Sequence, residues 1–246
     1  MSIWTEFSSF ISKVAATAFS GVVETLRTVF QSDPEQRRRV AFSVAIIALS
    51  AKMAKADGIV SAAEVEAFRE VFKVPPEELR NVSRLYNLAK RDVAGFDAYA
   101  AQVKSLFPGD DPSDEAVLHD VLDALFHIAK ADEIIHENEL LFLEEISVVF
   151  GFDSVAFERI QARHLDMRIG NPHAILGADP NWDFDQLKAH YRRRVAESHP
   201  DRLIARGVPL EFVVIANDRL ASINAAWDRI EANHKMTSQP ETVAAT

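Results

Sequence analysis

An eight-residue stretch, Ala54-Lys55-Ala56-Asp57-Gly58-Ile59-Val60-Ser61, returns 75 residues later as Ala129-Lys130-Ala131-Asp132-Glu133-Ile134-Ile135-His136. The same offset pairs Glu64, Val65 and Glu70 with Glu139, Leu140 and Glu145. After a short insertion, Val71-Phe72-Lys73-Val74 matches Val149-Phe150-Gly151-Phe152. Each copy places an apolar helical run before a polar turn and a capping-type sequence after it (Ser61 with Glu64 in the first copy). Two such helix–turn–helix units can bury their apolar faces against each other. Two copies are too few for a solenoid, so a compact bundle is expected.

The rest of the chain reads as helix too. Residues 1–31 carry Trp4, Phe7, Phe10, Ile11, Val14, Val22, Leu26 and Phe30 at helical spacing, which predicts one amphipathic N-terminal helix. Only ten uncharged residues lie between Lys13 and Glu24, short of the roughly 20 a membrane span needs. No basic stretch precedes the apolar one, as a signal peptide would require. This segment is expected either to pack on the next domain or to lie on a membrane surface or self-associate. Ser32-Asp33-Pro34 is a helix start. Helices are predicted to follow to about Ala56, from Pro76 to about Asp92, over Phe96–Phe107, and over about 114–131, 137–150 and 154–164. No segment alternates like a strand. The fold class is all-α.

Composition narrows the chemistry. The net charge of −10 argues against general affinity for nucleic acid. Cysteine is absent, which excludes disulfides and thiolate metal sites. The histidines show no His-Glu-x-x-His spacing and no Gly-rich phosphate loop is present, so neither an enzyme nor a cofactor is expected. The acidic excess lies in residues 1–170; residues 171–235 carry equal numbers of acids and bases, with a basic cluster at Lys188, Arg192, Arg193 and Arg194. That cluster suits an acidic partner surface.

The C-terminal region has its own organisation. After a linker over 166–171, Pro172–Gly177 reads as a short helix closed by glycine. Phe184–Val195 is a basic amphipathic helix, and a second long helix carries Leu210, Val213, Val214, Leu220, Ile223, Trp227 and Ile230. Between the two lies His199-Pro200-Asp201-Arg202. A helical hairpin would therefore hold a proline-stiffened polar turn at its tip. The tail over 236–246 is polar and expected to be disordered.

Two resemblances follow from these residues. The duplicated Ala-Lys-Ala-Asp pattern makes the region 32–165 similar to the TerB-like tellurite-resistance domain, a helical bundle. Some members of that family are thought to bind divalent metal through acidic loop residues. The matching positions here are Asp57 with Glu64 and Asp132 with Glu139, although hard cations want several converging oxygens and both glutamates suit helix capping. The second resemblance covers 172–235. His173-Ala174-Ile175-Leu176-Gly177, Lys188 with Tyr191-Arg192-Arg193, the His199-Pro200-Asp201 loop and Ile223-Asn224-Ala225-Ala226-Trp227 occur in the order of the J domain of DnaJ-type co-chaperones. Together the two resemble the membrane-associated DnaJ-like subfamily called DjlA or DjiA. His173 stands where that family usually has tyrosine, and Arg194 where it usually has leucine. No N-terminal transmembrane span is supplied by residues 1–31.

The resemblance implies a co-chaperone that docks on a DnaK-type chaperone and stimulates its ATP hydrolysis. Lys188, Tyr191, Arg192, Arg193, His199, Pro200, Asp201 and Arg202 would form the partner-binding surface. It implies a cytoplasmic location, with peripheral contact to the inner membrane as one option. The alternative expectation is a TerB-type metal- or stress-linked sensor whose J module is weakly active.

Overall fold

A computed structural model describes residues 3–14, 19–29, 33–57, 73–92, 95–109, 113–130, 135–164 and 171–238. All regular structure among the described residues is helical. The chain forms two compact units: Met1–Asp153 with Pro200–Ile215, and Ser154–His199 with Ala216–Thr246. These units interleave along the chain and cut it elsewhere than the continuous 32–165 and 172–235 expected from sequence.

The first unit is built around α3 (Pro34–Asp57). Asp33 opens it by accepting the Gln36 amide at 3.0 Å, with Pro34 in the first turn, where the missing N–H costs nothing. Ten successive residues, Val40 to Leu49, are buried, so the helix is covered on every side, as its continuous apolar run requires. Packed on it are α1 (Ile3–Lys13), α2 (Phe19–Val29), α4 (Leu79–Arg91), α5 (Phe96–Lys104), α6 (Asp114–Ala129) and α7 (Glu137–Phe150). In the duplicated pattern α6 corresponds to α3, and it too is apolar and buried along most of its length. The first copy's second helix, with the expected Ser61–Glu64 cap, lies outside the described residues.

The single helix expected over 1–31 is two. The α1 helix ends where Val14 donates to the Ile11 carbonyl in a tight turn, and Arg84 bonds the carbonyls of Ile11 and Val14 at 3.4 and 3.1 Å. Terminal carbonyls of a helix need such donors, and an arginine from α4 supplies them here. Ile3, Trp4, Phe7, Phe10 and Ile11 are all buried, so the apolar face of α1 is covered by the protein's own α3 and α4. No described helix is long and apolar enough to cross a membrane.

A buried lysine shows how the bundle satisfies charge. Lys52 Nζ donates to the Asp92 carbonyl at 2.9 Å and sits 4.1 Å above the Tyr99 ring. The Tyr99 hydroxyl donates to Asp92 at 2.8 Å. Burial first, and then Asp92, push the Tyr99 phenol far above its ordinary value, so it stays a neutral donor. The lysine is paired through a carbonyl and a π face rather than left bare in the core.

After three helices of the other unit, α8 (Ser154–His164), α9 (Pro172–Leu176) and α10 (Phe184–Glu197), the chain returns to the first unit at α11 (Pro200–Ala205). A left-handed Gly207 (φ 87°) then turns the chain into the 3-10 turn Leu210–Phe212. Leu203, Val208 and Phe212 are buried. Leu210, expected in the apolar face of the long helix, is 68% exposed, because it precedes that helix on the 3-10 turn.

The second unit comprises α8 (Ser154–His164), α9 (Pro172–Leu176), α10 (Phe184–Glu197) and most of α12 (Val213–Ser238). Its core joins Ile175, Leu176, Leu187, Ile223, Ala226, Trp227 and Ile230, with Ala162 of α8 packed against it. Asn171, the last residue of the expected linker, caps α9 by accepting the His173 amide at 2.9 Å. Gly177 ends that helix at φ 65°. A Cβ there would lie 2.4 Å from Arg159 Nε, so glycine serves both the left-handed turn and the close approach of α8. The long helix α12 runs through Met236 to Ser238, into the expected tail; 239–246 lie outside the described residues.

Candidate functional site

The α10 helix starts with a reciprocal cap. Asp183 accepts the Gln186 amide at 2.8 Å, and Gln186 accepts the Asp183 amide at 3.0 Å. Helical spacing from there sends Leu187 into the core and sets Tyr191 flat on Trp227, with ring centroids 4.7 Å apart and planes 10° off parallel. The Tyr191 hydroxyl donates to Asn224 at 3.0 Å. Phe184 stacks on His234 and tilts against Trp227. Tyr191, counted by the sequence among the partner-binding residues, thus spends its ring and its hydroxyl on joining α10 to α12. Aromatic pairs of this sort add about 0.5–1.5 kcal/mol beyond area burial.

Beside the residues that join it to α12, α10 carries cations. Arg192 and Arg193 are exposed and Lys188 is half-buried. Lys188 lies close enough to Glu231 to help Lys235, the larger influence, hold that carboxyl below its usual range. The helix closes at Ser198, whose amide donates to the Arg194 carbonyl at 3.0 Å. His199 follows, exposed; Pro200 is half-buried in the first turn of α11; Asp201 and Arg202 are exposed. The chain boundary between the compact units falls between His199 and Pro200.

The family model of the tellurite resistance protein TerB matches residues 43–162. The "Co-chaperone protein DjlA" of Photobacterium profundum is 25% identical over 221 residues, covering 79% of this chain and 78% of that one. The protein of the same name from Vibrio vulnificus strain YJ016 is 26% identical over 234 residues, covering 82% and 81%. The one from Photorhabdus laumondii is 42% identical over a shorter stretch of 57 residues, 23% of this chain and 21% of that one. No solved structure matches. The chain is a DjlA-type protein.

The metal candidates of this DjlA-type chain divide sharply. Glu139 is buried at the start of α7, and its carboxylate accepts the His136 amide at 2.9 Å. That is a helix cap and a favourable charge at a helix N-terminus. The side chain of Asp57, and Glu64 and Asp132 altogether, lie outside what the structure describes. Among the described residues no group of three or more His, Asp or Glu side chains converges to hold a cation.

Two residues take roles that the sequence did not assign. His190 lies one helical turn before Arg193. Its Nε2 donates to the Leu176 carbonyl at 3.0 Å and its Nδ1 accepts from Arg193 at 2.7 Å. Burial, more than the neighbouring guanidinium groups, lowers the imidazole pKa from the ordinary histidine value. A neutral ring with its proton on Nε2 therefore steers one of the exposed arginines. The i, i+3 spacing of His190 and Arg193 was visible, but neutrality depends on the Leu176 carbonyl, which the sequence does not place.

Arg194 is the second. Its side chain is 15% exposed and donates to Glu197 at 3.0 Å. Burial, together with the Arg159 and Arg219 guanidinium groups, lowers its pKa, and Glu197 opposes that shift. Where the resemblance led one to expect leucine, the hairpin therefore holds a largely buried cation with one half-exposed carboxylate. It belongs to the packing of the second unit, apart from the exposed cationic face of Arg192 and Arg193.

Proposed function

We propose that this co-chaperone docks on a DnaK-type chaperone through the cationic face of α10 and the His199-Pro200-Asp201 turn, and stimulates the partner's ATP hydrolysis. What carries the reading is the division of labour along α10. Leu187 and Tyr191 bind it to α12, while Arg192 and Arg193 are left to solvent and lead directly into the exposed His199 and Asp201. Exposed like charges on a rigid helix steer an acidic surface toward a fixed orientation. An exposed imidazole can then donate or accept, and a carboxylate can take a two-pronged contact from a partner arginine. No group here needs to act on ATP, since the chemistry belongs to the partner. DjlA-named relatives matched over about four-fifths of the chain support the co-chaperone role.

Single-turnover ATP hydrolysis by a DnaK-type chaperone tests this. The chain should raise the rate, and His199→Gln should abolish the increase while its circular dichroism and thermal midpoint match the parent. An increase that survives His199→Gln would remove the tripeptide from the account.

A further inference from the structure

The segment after His199 is gripped by the first unit. Arg206 Nη2 lies 2.9 Å from Asp120 Oδ2, with the Asp120 side chain 1% exposed and that of Arg206 17% exposed. Phe212 meets Phe42 of α3 edge-to-face at 4.7 Å between centroids, and both rings are fully buried. Leu203, midway along α11, is 1% exposed. Gly207 fits because it has no side chain: a Cβ there would lie 2.9 Å from Arg38 Cβ. Arg38 is itself paired with Asp114. Four anchors in ten residues, two of them on α6 or α3 residues that the bundle buries, are more than a surface connection needs. Connecting segments ordinarily run over the surface without such burial.

Arg206 is tied to the tripeptide by a short rigid element. Its amide bonds the carbonyls of Arg202 and Leu203, both at 3.1 Å, so it completes the helix that Pro200 and Asp201 begin. Fixing Arg206, Leu203 and Phe212 therefore restricts the direction in which the first turn of α11 presents Asp201. We infer that the Arg206–Asp120 pair and the Phe212–Phe42 contact are positioning elements that hold Asp201 ready for the docked chaperone. The inference rests on the docking function proposed above and adds to it a role for the bundle: α3 and α6 set how α11 presents Asp201. A flexible loop would have to be ordered at the moment of docking, at an entropic cost that the anchors remove beforehand.

The full chain, which contains no cysteine, suits a spin-label test. Ile204 on α11 is 40% exposed and accepts a label as Ile204→Cys. In Arg206→Gln the label should become more mobile, and the maximal single-turnover rate of the chaperone should fall about tenfold. The concentration for half-maximal stimulation, set by the cations of α10, should change less than about twofold. Arg206→Lys should recover most of the rate. Phe212→Leu, which keeps the burial and loses the ring contact, should behave in the same direction and serves if Arg206→Gln is too unstable to assay. A merely structural role would not separate the maximal rate from half-saturation. Unchanged label mobility, an unchanged maximal rate, or a shift in half-saturation alone would overturn the inference. A parent chain that gives no stimulation would sink the docking reading; an active parent whose folded Arg206→Gln variant equals it would sink only the positioning.

Discussion

Charge is used in opposite ways on the two sides of His199. Before it, α10 sends Arg193 into solvent, with its side chain 62% exposed and its nearest carboxylate, on Glu197, at 3.9 Å. After it, Arg206 is closed over a carboxylate that is 1% exposed, at 2.9 Å. Exposed pairs contribute little to stability and remain available to a partner. A buried pair is costly to break, because removing one member strands the other in the core. Arginines thirteen residues apart thus serve recognition in one case and architecture in the other, and burial decides which.

That contrast can be broken most forcefully at its apolar anchor. Phe212→Ala or Phe42→Ala should lower stability by about 3–5 kcal/mol, as aromatic truncations in a core do. Urea denaturation measures it, and a loss below about 1 kcal/mol would show the ring contact to be incidental. Next, Arg206→Ala should cost about 3 kcal/mol if Asp120 is left charged and buried. A cost like that of a surface pair would mean that water reaches Asp120.

Arg194 sharpens the comparison from within the second unit. Arg194→Leu replaces a largely buried cation by a side chain that suits its surroundings, and should raise stability by about 1–2 kcal/mol. A lowered thermal midpoint would show that its pair with Glu197 outweighs its desolvation. Arg192→Glu with Arg193→Glu should leave the midpoint nearly unchanged yet raise half-saturation for chaperone stimulation about tenfold at low salt. Equal half-saturation at low and high salt would remove steering as the reason for those cations.

The smallest effect concerns pH. The folded-state pKa of His190 lies below its unfolded value, so the unfolded chain takes up the proton first as pH falls. The contribution of His190 to stability is full above the ordinary histidine value of about 6.5 and is lost as pH falls from there through the lowered folded pKa. Below that, the protonated Nδ1 can no longer accept from Arg193. His190→Gln should flatten this part of the stability–pH curve; an undiminished slope would assign it to other groups.

Much of the local architecture was legible. The spacing of apolar residues placed α6, α7 and α8 to within two residues, and α7 also carries a capping box at its start and a left-handed glycine at its end. Gly177 marked the end of α9 from the sequence, whereas the reciprocal Asp183–Gln186 cap of α10 emerged only from the structure. What failed depended on contacts between distant residues. The carbonyls of Ile11 and Val14 at the end of α1 are taken by Arg84, seventy positions beyond Val14, and nothing local to Val14 announces that partner. The anchoring of the connection by Leu203, Val208 and Phe212 was equally hidden, since a few apolar residues in a loop do not say which surface receives them. The stacking of Tyr191 on Trp227 was likewise visible only in the structure.

By itself the sequence determined an all-helical chain, a duplicated bundle motif and a basic helix leading into His199-Pro200-Asp201. These follow from periodicity, caps and residue chemistry, which act over a few turns of chain. Only the tertiary structure decided that Arg206 answers Asp120, that Arg193 leans on a neutral His190 and that Arg194 is taken out of solvent. Each of those outcomes depends on burial, and burial is set by residues far away in the chain that meet only when it folds.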